Sequence, residues 1–143
     1  MQDRYLFKAK RKDDGKWVHG YLFDDGFENG RVFIGGIVIE KYNGTACDDW
    51  NVTGINFYEI DPNTICQCTG LKDKNGKLIW ENDIVNSKNG KAVVVWDRAE
   101  WRIKWIKDTI WRKDLYFWTN DDDWKCEVIG NIFDNPELLE SEE

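Results

Sequence analysis

The sequence has little of what a membrane protein or a secreted protein needs. Only two prolines, one methionine and one histidine occur among the 143 residues. No apolar run approaches the roughly 20 residues that a membrane-spanning helix requires, so we expect no membrane insertion. The first residues, MQDRYLFKAKRKDDGK, are charged and lack the apolar stretch and cleavage site of a secretory signal. We therefore expect a cytoplasmic location.

Motifs of catalysis and of cofactor binding are also lacking. There is no Gly-x-Ser-x-Gly nucleophile motif, and no glycine-rich phosphate loop opens a helix. The single histidine, His19, has no partner pattern that suggests a catalytic triad. We therefore expect a protein that is not an enzyme, with no catalytic residues and no cofactor.

Cysteines are few: Cys47, Cys66, Cys68 and Cys126. In a reducing compartment disulfides are rare. The Cys66-x-Cys68 spacing would place both thiols on one face of a strand, as in some metal sites. A tetrahedral zinc site needs four ligands, usually offered as two close pairs, and the other two cysteines are isolated in the sequence. Buried packing is therefore favoured, and no metal site is expected.

Apolar and aromatic residues are abundant, and charge is unevenly distributed. Hydrophobic residues make up 41% of the chain and aromatics 15%, with nine tryptophans, which is enough apolar surface for a folded protein. The net charge of −7 opposes non-specific binding to nucleic acid or to an anionic membrane. Residues 98–113 nevertheless contain six basic residues against two acids, whereas residues 121–143 contain nine acids against one lysine.

Turn signals and β-rich runs alternate along the chain. Asn-Gly is a strong signal for a type I′ hairpin turn, which requires positive φ at both central residues. Between these turns lie runs such as RVFIGGIVIEKY, KLIWENDIV and KAVVVW, rich in the residues that strands prefer. The sequence predicts an all-β fold of short antiparallel strands. The four Asn-Gly pairs are Asn29-Gly30, Asn43-Gly44, Asn75-Gly76 and Asn89-Gly90.

Asp61-Pro62 indicates a boundary between two subdomains, because Pro62 cannot occupy a central ladder position. We expect an N-terminal β subdomain at residues 1–60. Residues 61–143 are expected to form an SH3-like, partly open barrel with an acidic tail. In its RAEWRIKWIKD segment, apolar and basic residues alternate with the period of a strand that has one buried face.

Residues 29–50 and 75–96 are related by a shift of 46 residues. Six of the 22 aligned positions are then identical, including Ala46 with Ala92 and Trp50 with Trp96. Duplication of a β-unit would explain this similarity, with the smaller copy in the N-terminal part. Hairpins of similar length that converge on similar turn residues would explain it equally well.

Three long motifs carry a family resemblance. The stretch DPNTICQCTGLKDKNGKLIWENDIV resembles the hallmark of the YopX family, found in phages and prophages of low-GC Gram-positive bacteria and elsewhere. The ending EVIGNIFDNPELL and the opening YLFKAKRKDDGKWVHGYL are also similar to that family. Asn82 stands where the family usually has glycine, and asparagine tolerates the left-handed conformation best after glycine. The resemblance implies a mainly β protein with an SH3-like C-terminal part and no established activity.

The segment DRAEWRIKWIKDTIWRK holds the candidate binding residues, Trp101, Arg102, Lys104 and Trp105. Basic side chains interleaved with tryptophans are typical of single-stranded nucleic-acid platforms. The alternative is an ordinary strand in which the tryptophans face the core and the basic residues keep the other face soluble.

Three function classes remain, and the leading hypothesis is a non-enzymatic protein-binding module. Its partner would be a host or phage protein. Nine indoles leave some near the surface, and exposed aromatics are frequent at binding hot spots. One alternative is a nucleic-acid-associated accessory factor in phage DNA metabolism, which the net negative charge disfavours. The other is an acidic decoy that mimics DNA. The oligomeric state is not predicted.

Overall fold

Short antiparallel strands form the fold, as the sequence predicts. The computed structural model describes the backbone of residues 3–26, 30–42 and 50–140, and the side chains of residues 4–26, 30–36 and 56–140. A four-residue helix, α1 (Phe117–Asn120), was not predicted. None of the described helices is long and apolar enough to cross a bilayer. The strands are β1 (Phe7–Lys10), β2 (Trp17–Asp24), β3 (Val32–Tyr42), β4 (Trp50–Glu59), β5 (Cys66–Lys72), β6 (Leu78–Trp80), β7 (Asp83–Ser87), β8 (Gly90–Asp97), β9 (Glu100–Trp105) and β10 (Glu127–Asn131).

The chain divides into two compact units. The N-terminal unit is Tyr5–Ile65, and the C-terminal unit comprises Met1–Arg4 and Cys66–Glu143. The division therefore falls at 65/66 rather than at 60/61. The reason is the 3₁₀ turn that follows Asp61, which is tied to β1. The amide of Lys10 donates to Thr64 Oγ1 at 2.9 Å, and the amide of Asp61 donates to the carbonyl oxygen of Lys10 at 2.9 Å.

In the N-terminal unit the strands lie in the order β4-β3-β2-β1, and every described pair is antiparallel. Ala9, Ile34 and Ile60 are buried, and partly buried apolar side chains of β1, β2 and β3 pack around them. Gly35 lies where β3 meets β4 closely. A Cβ atom there would come within 2.0 Å of the Asn56 carbonyl oxygen, so only glycine fits this position.

In the C-terminal unit β5 and β6 form a hairpin, and an open antiparallel sheet has the order β10-β7-β8-β9. Within the described residues this sheet does not close into a barrel. The core side chains come from β6 to β9, from α1 and from the segments beside it. The buried members are Ile79, Val85, Ala92, Val94, Ile103, Trp105, Leu115, Trp118 and Cys126.

The predicted turn type is wrong at both Asn-Gly pairs whose asparagine is described. Among non-glycine residues that the structure describes, positive φ occurs at three positions, and Asn75 and Asn89 are not among them. At the β5–β6 turn the amide of Gly76 donates to the Asp73 carbonyl oxygen, and Gly76 itself has φ 78°. This is a type I turn followed by a left-handed glycine, the common three-residue hairpin loop. Asn29 and the pair Asn43-Gly44 lie outside the described residues.

The two segments that align with a 46-residue shift do not fold alike where both are described. Val32–Tyr42 is one continuous strand, whereas the corresponding residues form β6 and β7, which a turn at Glu81 and Asn82 separates. Asn82 has φ 70°, so it takes the left-handed conformation predicted for it. This difference favours two unrelated hairpins with similar turn residues over a duplicated β-unit. Residues 43–49 lie outside the described part.

The motif-rich stretch from Asp61 to Val85 is largely scaffold. Asp73 is buried, and its Oδ1 accepts the amides of Asn75 and Lys77, both at 2.9 Å. Its Oδ2 accepts the amide of Val128 at 2.9 Å, which fixes the β5–β6 turn to β10. Asp83, also buried, accepts the amide of Trp80 at 2.9 Å. These carboxylates serve the backbone and are not available to a ligand.

Candidate binding surface

Strand β9 divides the four predicted binding residues between its two faces. Trp105 is 8% exposed and lies in the core with Ile103. Trp101 is partly buried against the same core, and Lys104 is exposed on the opposite face with Arg102. Both indoles are largely covered, although Trp105 lines the same groove as Arg102 and Lys104. Trp105 is thus a core residue that offers little surface for stacking, and binding by Trp101, Arg102, Lys104 and Trp105 stays a prediction.

A groove lies along β8 and β9 beside these cations. Its volume is about 460 Å³. Four cations and two carboxylates line it, so its lining has a net charge of +2 in a chain whose net charge is −7. We call it the basic groove. Its charged and aromatic lining residues are Arg98, Arg102, Lys104, Lys113, Asp97, Asp108, Trp96 and Trp105.

The second wall of the groove forms because the chain returns alongside β9. The amide of Ile103 donates to the carbonyl oxygen of Lys113 at 2.8 Å, and the amide of Leu115 donates to that of Trp101 at 3.1 Å. An isolated bridge between Arg102 and Asp114 completes the pairing. This long-range contact places Lys113 beside β9, where it lines the groove together with Arg102 and Lys104.

Two cations near the groove are already paired. Arg102 contacts Glu100, and Arg112 makes two hydrogen bonds of 2.9 Å with Asp114. Arg98, Lys104 and Lys113, by contrast, make no ion pair with any residue that the structure describes. Lys104 and Lys113 are also exposed, so their charges are available to an anionic ligand.

The β8–β9 hairpin tip, which contributes Arg98 to the groove, has an unusual backbone. Arg98 and Ala99 have φ 54° and 59°, between the paired residues Asp97 and Glu100. Positive φ at both central residues is the condition of a type I′ turn, which strongly prefers Asn-Gly. A non-glycine residue in this conformation costs about 1–2 kcal/mol, so Arg98 and Ala99 make the hairpin less stable than residues suited to positive φ would.

Replacing this pair by Asn-Gly is expected to stabilise the protein. The double variant Arg98→Asn/Ala99→Gly should raise the free energy of unfolding by about 1–2 kcal/mol, because both residues then suit positive φ. Urea unfolding followed by tryptophan fluorescence measures this change. Ala99→Gly alone should give part of the gain. A loss of stability in the double variant would show that the native pair makes compensating contacts.

A loop with an apolar tip adjoins the groove. Loop 106–112 joins β9 to the returning segment. In it Ile110 is 102% exposed and Trp111 is 50% exposed. The base of the loop is fixed from inside the core, because the indole N–H groups of Trp105 and Trp118 both donate to the carbonyl oxygen of Arg112, at 3.3 and 3.1 Å. A rigid core thus holds a loop whose apolar tip faces solvent.

The cysteines and His19 are the remaining candidates for chemistry. Cys66, Cys68 and Cys126 are buried, and Cys47 lies outside the described residues. Burial, and secondarily the Asp73 carboxylate, raises the pKa of Cys126 to about 11, so this thiol stays protonated at neutral pH. Partial burial and the Lys8 ammonium lower the pKa of His19. Across the described part of the chain, no three or more His, Cys, Asp and Glu side chains are grouped to hold a metal ion.

Comparison with known proteins yields a family and a structural relative. A family model described as YopX protein matches residues 6–140. The crystal structure of protein EF1440 from Enterococcus faecalis is similar over 94% of this chain and 96% of that chain, with a TM-score of 0.57 and 23% sequence identity. At this identity the likeness shows a shared fold. No functionally curated protein matches the sequence.

Proposed function

The chain belongs to the YopX family, and we propose that it is a non-enzymatic protein-binding module of phage or prophage origin in the cytoplasm of a bacterial host. One observation carries the proposal: the exposed apolar tip of loop 106–112. Ile110 is 102% exposed, so it gains nothing from burial in the folded chain. Burying an isoleucine side chain in a partner would contribute about 1.5–3 kcal/mol.

The surroundings of the tip suit a protein interface. Trp111 is half-exposed beside Ile110, and tryptophan is among the residues most often found at binding hot spots. Trp96 and Tyr116 add further exposed aromatic surface in the same unit, at 55% and 61% exposure. Binding residues are often on loops that a rigid scaffold positions, which is the arrangement found here.

The described side chains also argue against the two alternatives, a nucleic-acid-associated factor and a DNA mimic. Single-stranded nucleic acid would need several exposed rings beside the cations, but Trp105 is 8% exposed and Trp101 is partly buried against the core. A DNA mimic would need unpaired carboxylates in a regular array. Asp122 instead pairs with Lys125 at 3.3 Å, and Glu127 pairs with Lys74 at 3.5 Å. A protein partner is the class that the described surface fits best.

Removing the apolar tip is expected to abolish partner binding. Wild-type protein and the double variant Ile110→Ser/Trp111→Ala would be used for affinity capture from infected host lysate. A protein retained by the wild type alone would then be purified and titrated by calorimetry. We expect a loss of affinity of at least about 30-fold, since hot-spot residues contribute 2 kcal/mol or more. Thermal unfolding should stay close to that of the wild type.

The matched control removes an exposed aromatic and an exposed aliphatic side chain elsewhere. Tyr5→Ala/Leu139→Ser changes residues that are 53% and 38% exposed and lie outside the loop. This variant should retain the partner. Equal affinity of the purified partner for all three proteins would refute the loop as the binding site. If the wild-type protein captured no partner but converted a substrate, the binding-module proposal itself would be refuted.

A further inference from the structure

We propose that the basic groove binds an acidic, extended segment of the partner protein. This inference rests on the proposed function, because it assumes that the partner is a protein. It identifies a second contact beside the apolar tip and the chemistry of the segment that occupies it. The sequence already shows that positive charge is concentrated here, since residues 98–113 carry six basic residues against two acids.

Charge complementarity is the first argument. Lys104 and Lys113 are exposed and both line the groove, and Arg98 lies at the hairpin tip that lines it. None of these three cations makes an ion pair with the described residues. In a chain of net charge −7, this concentration of unpaired cations would repel basic partners and attract acidic ones. Such complementarity chiefly determines which partner binds and how fast it associates.

The hairpin tip supplies the second argument. At the β5–β6 turn the chain places a glycine, Gly76, at positive φ, yet at the groove it places Arg98 and Ala99 in that conformation. Strained backbone conformations of this kind cluster at binding sites. Here the strain positions a guanidinium at the edge of the groove, where Asn-Gly would leave no charge.

The aromatic lining supplies the third argument. Trp96 is 55% exposed, lies in the lining of the groove and packs edge-to-face on Trp101 at 5.0 Å. A ring held by a second ring loses little entropy on binding. It offers a flat apolar contact to a non-acidic side chain of the bound segment. Acidic side chains therefore supply the main contact, and an apolar side chain of the segment would add to it at Trp96.

A peptide suits the groove better than nucleic acid does. Asp97 and Asp108 also line it, and a uniformly charged phosphate backbone would meet both of them. The carboxylates of a peptide are separated by neutral groups and can be spaced to avoid them. Only four cations line the groove, and phosphate neutralisation supplies most of the affinity for nucleic acid.

The test uses hexaglutamate as the probe and the intrinsic tryptophan fluorescence as the signal. Titration of the full chain at low salt is expected to give saturable quenching that weakens as salt is added, because the contact is electrostatic. The variant Lys104→Glu/Lys113→Glu should bind the peptide at least about 10-fold more weakly. The matched control, Lys72→Glu/Lys77→Glu, reverses two exposed lysines of the same unit outside the groove lining and should bind as the wild type does.

Four results would overturn the inference. Absence of quenching at millimolar peptide, or an equal loss of binding in both charge-reversal variants, would show that the groove has no specific affinity. Tighter, groove-dependent binding of oligothymidine would assign it to nucleic acid. Self-association in ultracentrifugation that the Lys104→Glu/Lys113→Glu variant abolishes would assign it to the acidic segment of a second copy.

The outcome is distinguishable from that of the proposed function. The Ile110→Ser/Trp111→Ala variant keeps every groove cation, so it should still bind hexaglutamate while losing the partner. If the peptide fails to bind but the loop variant still loses the partner, only the groove inference falls. If the peptide binds and the loop variant keeps the partner, only the apolar tip is refuted as the binding site.

Discussion

Replacing Asp73 by alanine is expected to lower the free energy of unfolding by about 3 kcal/mol. The side chain is 5% exposed, and its two carboxylate oxygens accept three backbone amides, those of Asn75, Lys77 and Val128. Removing the acceptor of a partly buried amide costs about 1–3 kcal/mol, and hydrogen bonds to a charged group lie at the upper end. The β5–β6 turn would also lose its connection to β10. Urea unfolding followed by far-UV circular dichroism gives the value.

Two further variants separate this effect from the loss of an acidic residue. Asp73→Asn keeps one side-chain acceptor, so its loss of stability should be intermediate. Asp123→Ala removes an exposed carboxylate of the same unit and should change stability by less than about 0.5 kcal/mol. If Asp73→Ala were as mild as Asp123→Ala, the three amides would have found other acceptors, and Asp73 would not be the link between turn and sheet.

Local chemistry predicted several features of this fold correctly. The β-rich runs became strands, the alternation in residues 100–105 put Ile103 and Trp105 in the core, and Asn82 took the left-handed conformation. Each of these depends on a few neighbouring residues, which is why the sequence indicates them.

The turn types were not predictable in the same way. Asn-Gly suits a type I′ turn and also a type I turn followed by glycine, and the register of the flanking strands decides between them. In β7 and β8 the pairing of Ser87 with Gly90 leaves Lys88 and Asn89 as the loop, so Gly90 begins the next strand. The two-residue loop with positive φ lies instead at Arg98 and Ala99, which carry no sequence signal for it.

Only part of the candidate site could be predicted from the sequence, for a related reason. The alternation in β9 already implied that its tryptophans and its basic residues lie on opposite faces. The groove itself needs Lys113 beside β9, a contact that depends on how the chain returns after loop 106–112. The exposure of Ile110 has no sequence signal either, because an isoleucine between Thr109 and Trp111 is as consistent with burial as with exposure.

Replacing Trp118 by alanine is expected to cost the C-terminal unit about 3–5 kcal/mol, the usual range for a buried tryptophan. The side chain is 1% exposed, and its ring packs edge-to-face on Trp105 at 5.2 Å and on Phe117 at 4.9 Å. Its indole N–H also donates to the Arg112 carbonyl oxygen at 3.1 Å. The variant should therefore lose stability and the anchor of loop 106–112 together, which guanidinium unfolding and amide hydrogen exchange of the loop measure.

Trp118→Phe and Trp111→Ala resolve these two effects. The phenylalanine variant keeps an aromatic ring in the core but lacks the N–H, so it should regain most of the stability while exchange in the loop stays faster than in the wild type. Trp111→Ala removes a half-exposed ring, so it should cost less than about 1 kcal/mol and weaken partner binding instead. If Trp118→Phe left loop exchange unchanged, the Trp105 N–H alone would suffice to hold the Arg112 carbonyl, and the apolar tip would be positioned by one indole rather than two.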